Sequence, residues 1–250
     1  MALVEHLKEL RNRFLVAAVA IVVATVPGWQ LYDPVMAALI EPIKVRGGQV
    51  NFAGLTDPFA LHLQIAIYIA LFISSPIWLW EIWAFIVPGL TRKEKRTAIA
   101  FIGTAIPLML AGVWLAYLTL PKAVEILLDF TPAEGSNIIA ADLYLNFTSR
   151  FLLAFGLSWL LPVLMVALNM IGVLTAAAML RVWRFAVVGI FVFAAVMTPT
   201  PDPWTMFTLA LPMVTLYFAA YGISALNDRR RRLMRPAWAE EIADDQASPL

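Results

Sequence analysis

The sequence predicts an all-α membrane protein with six transmembrane helices. Three observations carry that reading. Of the 250 residues, 62% are apolar and 14% charged, whereas a soluble domain carries about 25% charged residues. The apolar residues fall in long continuous runs rather than alternating, which suits helices and not a barrel. The lysines and arginines gather in segments that would share one side of the membrane.

A helix needs about 20 apolar residues to cross the ~30 Å hydrocarbon core. Such runs lie at 14–31, 59–88, 97–120, 144–173, 183–197 and 204–223. The second is long enough to tilt or to extend past the membrane and ends at Pro88 and Gly89. The fourth is the most polar, with Asn146, Thr148, Ser149, Arg150 and Ser158. The last two read as short helices. The fifth, at about 15 residues, reaches only about 22 Å, and a turn with Pro199, Pro201 and Pro203 follows it. That pair either is buried against the other helices or thins the bilayer locally.

Orientation follows from charge. Of the 18 Lys and Arg, 14 lie in segments 1–13, 89–96, 174–184 and the tail after 223; Lys44, Arg46 and Lys122 are the three in the opposite loops. Both termini are therefore expected in the cytoplasm. The opposite loops are not plain linkers. Residues 32–58 hold an apolar stretch broken by Pro34, Pro42 and Gly47-Gly48, and 121–143 carry Ala123, Ile126, Leu127 and Phe130 at helical spacing, so both are expected to form small helical caps on the outer face. The chain reads as one membrane domain over 1–225. A tail at 226–250, basic at 229–232 and then acidic, is expected to be disordered.

Much chemistry is excluded. There is no G-x-x-x-x-G-K-[ST] loop for a nucleotide. There are no cysteines, and His6 and His62 are far apart in sequence, so no metal site or cofactor is expected. Gly156-Leu157-Ser158 lacks the last glycine of a nucleophile elbow and has no nearby histidine. An enzyme with catalytic residues is not expected, and a net charge of +1 gives no reason to expect nucleic acid. Binding, channel or transport roles remain.

The charged residues then need explanation. Leu3, Leu7, Leu10 and Phe14 form one helical stripe, and Glu9 and Arg13 are an i, i+4 pair in the favourable order. The N-terminal stretch therefore reads as an amphipathic helix running into the first span. Its glutamates, and the lack of a small-x-small site, argue against a cleaved signal peptide. It serves either as a solvated topology anchor or as a working surface. The turn at 87–96 poses the same choice, with Glu94 among Arg92, Lys93, Lys95 and Arg96. Within the spans, Glu81 either snorkels among Trp78, Trp80 and Trp83 or faces a cavity, and Arg150 can snorkel from the outer end of the fourth span.

Taken together, HLKELRNR before the first span, SSPIWLWEIWAFIVPGLTRKEKR at the end of the second, FGLSWLLPV in the fourth and the T-P-x-P-D turn before the last resemble the TatC family. Its members are the multispanning subunits of the twin-arginine protein translocase. The resemblance covers about residues 3–225 and implies a cupped six-helix bundle with short last helices, multi-pass in the cell membrane. It implies recognition of twin-arginine signal peptides at the cytoplasmic face and export of folded proteins driven by the proton-motive force. The implied partners are the single-span subunits TatA and often TatB, membrane lipids and further copies of the chain. It implies that Glu9, Glu94 and Phe85 form the recognition site, with Arg11 and Lys95 beside them.

The chemistry is consistent with that resemblance. Two guanidiniums call for two carboxylates that each accept forked hydrogen bonds, and lysine fits such a fork poorly. A unit pair at 4 Å is worth about 4 kcal/mol at an effective dielectric of 20, before desolvation and screening, so the apolar part of a signal peptide must supply much of the affinity. The sequence also departs from the family. Leu160 stands where many relatives carry a glutamate in the fourth span, which puts any mechanism needing an acid there in doubt. Near the start of the sixth span Thr205 and Thr208 are the remaining polar candidates for a TatA or TatB contact. A competing reading, a proton-coupled small-solute transporter using Glu81 and Arg150, has against it the absence of paired broken helices near mid-membrane.

Overall fold

The computed structural model describes residues 3–45, 49–52, 54–86, 92–129, 138–197 and 203–233, with the side chains at 3–4, 92–97 and 138 left out. Helix α1 (Leu3–Gln30) is continuous from the charged N-terminal stretch through the first apolar run, as the amphipathic stripe predicts. Helix α2 (Tyr32–Lys44) follows, then strand β1 (Gln49–Asn51). Gly28 lets α1 lie close to the next long helix, because a Cβ there would sit 2.4 Å from the carbonyl oxygen of Ala66.

The second apolar run is not one straight helix. It is α3 (Asp57–Ile73) and α4 (Ser75–Ile86), bent by 58° at Ser74. Pro76 has no N–H to continue the ladder, and the freed turn is repaired by side chains: Trp78 Nε1 donates to the Leu71 carbonyl at 2.9 Å. The long run read over 59–88 is thus a bent pair of helices rather than one straight helix.

Helix α5 (Arg92–Leu128) runs 37 residues through Pro107 and Pro121. It absorbs 121–128, so of the two expected outer caps only α2 is a separate helix among the described residues. Strand β2 (Ile138–Ala140) pairs in parallel with β1, Val50 opposite Ile139, a contact no sequence signal announced. Helices α6 (Ala141–Ser158) and α7 (Leu160–Ile171) form the fourth span around Trp159. Gly112 of α5 meets this pair closely: a Cβ there would lie 2.8 Å from the Phe155 carbonyl oxygen.

Helices α8 (Ala176–Arg181), α9 (Trp183–Met197) and α10 (Pro203–Leu233) complete the described residues. The expectation of two short last helices holds for α9, of 15 residues, and fails for α10, of 31. Only Ala194 of α9 is buried, so that helix is not sunk among the others. Helix α10 runs on to Leu233, so 226–233 is helix where disorder was expected.

Among the described residues, four helical stretches are long and apolar enough to cross a membrane, and a fifth crossing is made if the bent α3–α4 pair counts as one. The result is an all-α, multi-span bundle. One apolar core joins α2, α3, α5, α6, α9 and α10 through Leu39, Ile65, Leu120, Phe151, Phe155 and Leu209. A second joins α4, α5 and α7 through Trp78, Trp83, Phe101, Met109 and Val163. The second core fixes the facing of α4. With Trp78, Leu79 and Trp83 turned into it, Glu81 and Phe85 are left on the face toward α1.

Candidate functional site

The site is built where α4 lies beside the first turns of α1. On α1, His6, Glu9 and Arg13 follow helical spacing, and on α4, Glu81 and Phe85 are one turn apart. The helices run antiparallel, so His6 meets Phe85 and Arg13 meets Glu81. The His6 and Phe85 rings stack with centroids 4.5 Å apart. Arg13 donates from Nε and Nη2 to Glu9 Oε1 at 3.0 and 2.7 Å, and from Nη1 to Glu81 Oε2 at 3.1 Å. One guanidinium thus bridges two carboxylates.

These groups are largely removed from water: the side chains of Glu81, Glu9 and Arg13 are 17%, 23% and 25% exposed. They open on a shallow depression of about 520 Å³ lined by Glu5, Lys8, Glu9, Asn12, Arg13, Val16 and Glu81. The two carboxylates share one resident cation, Arg13. The arrangement can therefore bind guanidinium groups by forked, charge-assisted hydrogen bonds.

The other residues singled out from sequence are distributed as follows. Glu94 and Lys95 lie in the first turns of α5, with their side chains outside the described residues. Arg11 is exposed, and its Nη2 donates to Asn12 Oδ1 at 3.3 Å rather than to Glu9. Glu81 does not snorkel free, since it is tied to Arg13. Arg150 is exposed on α6 and pairs with no described residue. Glu81 and Arg150, which the transporter reading needs together, are not in contact. Ser158 is buried and donates its hydroxyl to the Phe155 carbonyl at 2.9 Å, a helix-end role. Leu160 packs among apolar neighbours of the second core, so no acidic group takes its place. Thr205 is fully buried, and Thr208 donates to the Trp204 carbonyl at 2.8 Å. The T-P-x-P-D turn at 198–202 lies outside the described residues.

Sequence reasoning missed two features. The Glu9–Arg13 spacing was visible, but its extension to Glu81 is a contact between residues 68 apart in the chain. The second feature ties α10 to the α7–α8 turn. Asp228 accepts from Asn169 Nδ2 at 2.9 Å and from the Ala176 amide at 2.8 Å, and Arg231 Nη2 donates to the Met170 carbonyl. Those residues had been assigned to the tail.

Comparison with known proteins agrees with this architecture. The family of the Sec-independent protein translocase protein TatC matches residues 5–212. The TatC protein of Xylanimonas cellulosilytica is 44% identical over 236 residues, covering 92% of this chain and 86% of the relative. The TatCy protein of Bacillus subtilis is 32% identical over 232 residues, covering 92% and 91%. A crystal structure of the twin arginine translocase receptor TatC in DDM superposes with a TM-score of 0.75 at 27% identity, covering 88% of this chain and 99% of that one. The family match over most of the chain, the relatives and the shared fold lead to one conclusion: this chain belongs to the TatC family of Sec-independent protein translocase proteins.

Proposed function

We infer that the chain acts as the core receptor subunit of the twin-arginine translocase, a non-catalytic role, and that it reads the twin-arginine signal peptide with carboxylates at its cytoplasmic face. The observation that carries this reading is the bridge from Arg13 to Glu9 and Glu81. It marks this corner of the bundle as a place where a guanidinium is held by converging carboxylates. Glu9 accepts one arginine of the signal peptide and Glu94 the other. Phe85, beside His6, offers an apolar face to the residues that follow.

Membrane placement completes the reading. The bias of Lys and Arg puts the N-terminal ends of α1 and α5 and the C-terminal ends of α4 and α10 in the cytoplasm. Counting the bent pair as one span and α9 as a short one gives six crossings in a cupped bundle with both termini inside. TatA and TatB are the single-span partners, and the proton-motive force rather than a nucleotide drives transport.

Photo-crosslinking of a twin-arginine signal peptide to the chain in membranes tests this. The double variant Glu9→Ala with Glu94→Ala is expected to lose the crosslink. Retained crosslinking at the wild-type level contradicts the assignment of these carboxylates and favours a scaffold without a peptide site.

A further inference from the structure

The reading above gives Glu9 a task but leaves Arg13 and Glu81 without one. We propose that Arg13 is an internal stand-in for a ligand guanidinium: it occupies Glu9 and Glu81 in the resting protein, an incoming arginine displaces it, and Glu81 then becomes a peptide-binding residue. The proposal rests on the reading of this site as a receptor for twin-arginine peptides.

The contacts of Arg13 are those a ligand arginine would make. Three of its N–H groups reach two carboxylates at 2.7 to 3.1 Å. Because these carboxylates are mostly withdrawn from water, they cannot be left bare without a penalty. Arg13 keeps them paired and aimed before any ligand arrives. It also sets the condition for displacement, since only a group that restores the same forked bonds replaces it without loss. A guanidinium does so, whereas an ammonium is a compact point charge that fits the fork poorly. An internal competitor thus turns a general attraction for cations into selection for arginine.

Charge and access agree. Glu5, Glu9 and Glu81 face Lys8 and Arg13 around the depression, a local sum of −1. With Arg13 swung out the sum is −2, and one ligand guanidinium between Glu9 and Glu81 restores it to −1. The neighbours Asn12 and Val16 are exposed, so the Arg13 side chain can turn to solvent without repacking α1.

The test is equilibrium binding of synthetic signal peptides carrying Arg-Arg or Lys-Lys to the full chain in lipid nanodiscs. Arg13→Gln is expected to bind the Arg-Arg peptide roughly three- to tenfold tighter and to discriminate less against Lys-Lys. Arg13→Lys is expected to change both in the same direction by less. Adding Glu81→Gln to Arg13→Gln removes the gain. Unchanged or weaker Arg-Arg binding by the Arg13 variants, with unchanged discrimination, overturns the proposal while leaving the receptor reading intact. A wild-type chain that does not prefer Arg-Arg overturns both. If Arg13→Gln yields no folded protein, Arg13→Lys decides by the same criteria.

Discussion

Arg13 and Glu81 stand 68 residues apart in the chain, yet their side chains meet at 3.1 Å. The contact continues, beyond the 58° bend at Ser74, the antiparallel pairing that Gly28 and Ala66 make between α1 and α3. It joins the helix that carries Glu9 to the helix that carries Phe85, so the geometry of the proposed recognition surface and the packing of α1 on α4 are one property.

That coupling is measurable as stability. Arg13→Gln and Glu81→Gln are each expected to lower the thermal midpoint in detergent. The double variant should be more stable than the sum of the two losses implies, by about 1 kcal/mol. Strict additivity in this double-mutant cycle contradicts the contact.

Helix α5 carries a contrast between two glycines. Gly112→Val places a side chain 2.8 Å from the Phe155 carbonyl oxygen, and overpacking of this kind costs about 1–3 kcal/mol. Gly103→Ala meets nothing within 4 Å and is expected to be neutral or to stabilise by up to about 1 kcal/mol through helix propensity. Thermal unfolding of the two variants side by side distinguishes a close helix crossing from a general sensitivity of α5.

Asp228 is expected to matter although it lies beyond the last apolar run. Asp228→Ala removes the acceptor for Asn169 Nδ2 and for the Ala176 amide and should destabilise the chain by about 1–3 kcal/mol. Full stability of this variant would show that α10 does not need its tie to the α7–α8 turn.

Helix α9 is short and faces outward, with Phe185 at 81% and Val196 at 73% exposure. Its 15 residues span only about 22 Å. Of the two expectations from the sequence, burial or local thinning, the exposed face favours thinning, which we propose for α9. Spin labels along α9 in a bilayer should reach both headgroup regions within that length. A depth profile matching a core of about 30 Å contradicts it.

Much of the architecture was legible because long apolar runs and a one-sided distribution of Lys and Arg leave few alternatives for a chain of this composition. What was not legible depended on contacts between distant segments. The run 59–88 reads as one helix, and only Pro76 after Ser74-Ser75 hints at the bend between α3 and α4. The three-residue strands β1 and β2 are too short for a periodic signal, and their pairing joins segments almost 90 residues apart. Residues 226–233 look like tail because arginines dominate them, while the capping by Asp228 is a tertiary contact. Within the site, Glu9 and Phe85 stood out through the motifs around them. Arg13 was visible only as a local i, i+4 partner, because its second carboxylate comes from another helix.

The central claim is that carboxylates at this face read paired guanidiniums. The most direct measurement is the affinity of the isolated wild-type chain for a twin-arginine peptide against the same peptide with two lysines. Forked recognition requires the arginine peptide to bind at least several-fold tighter, with the difference lost in Glu9→Ala combined with Glu94→Ala. Equal affinity for the two peptides contradicts the account.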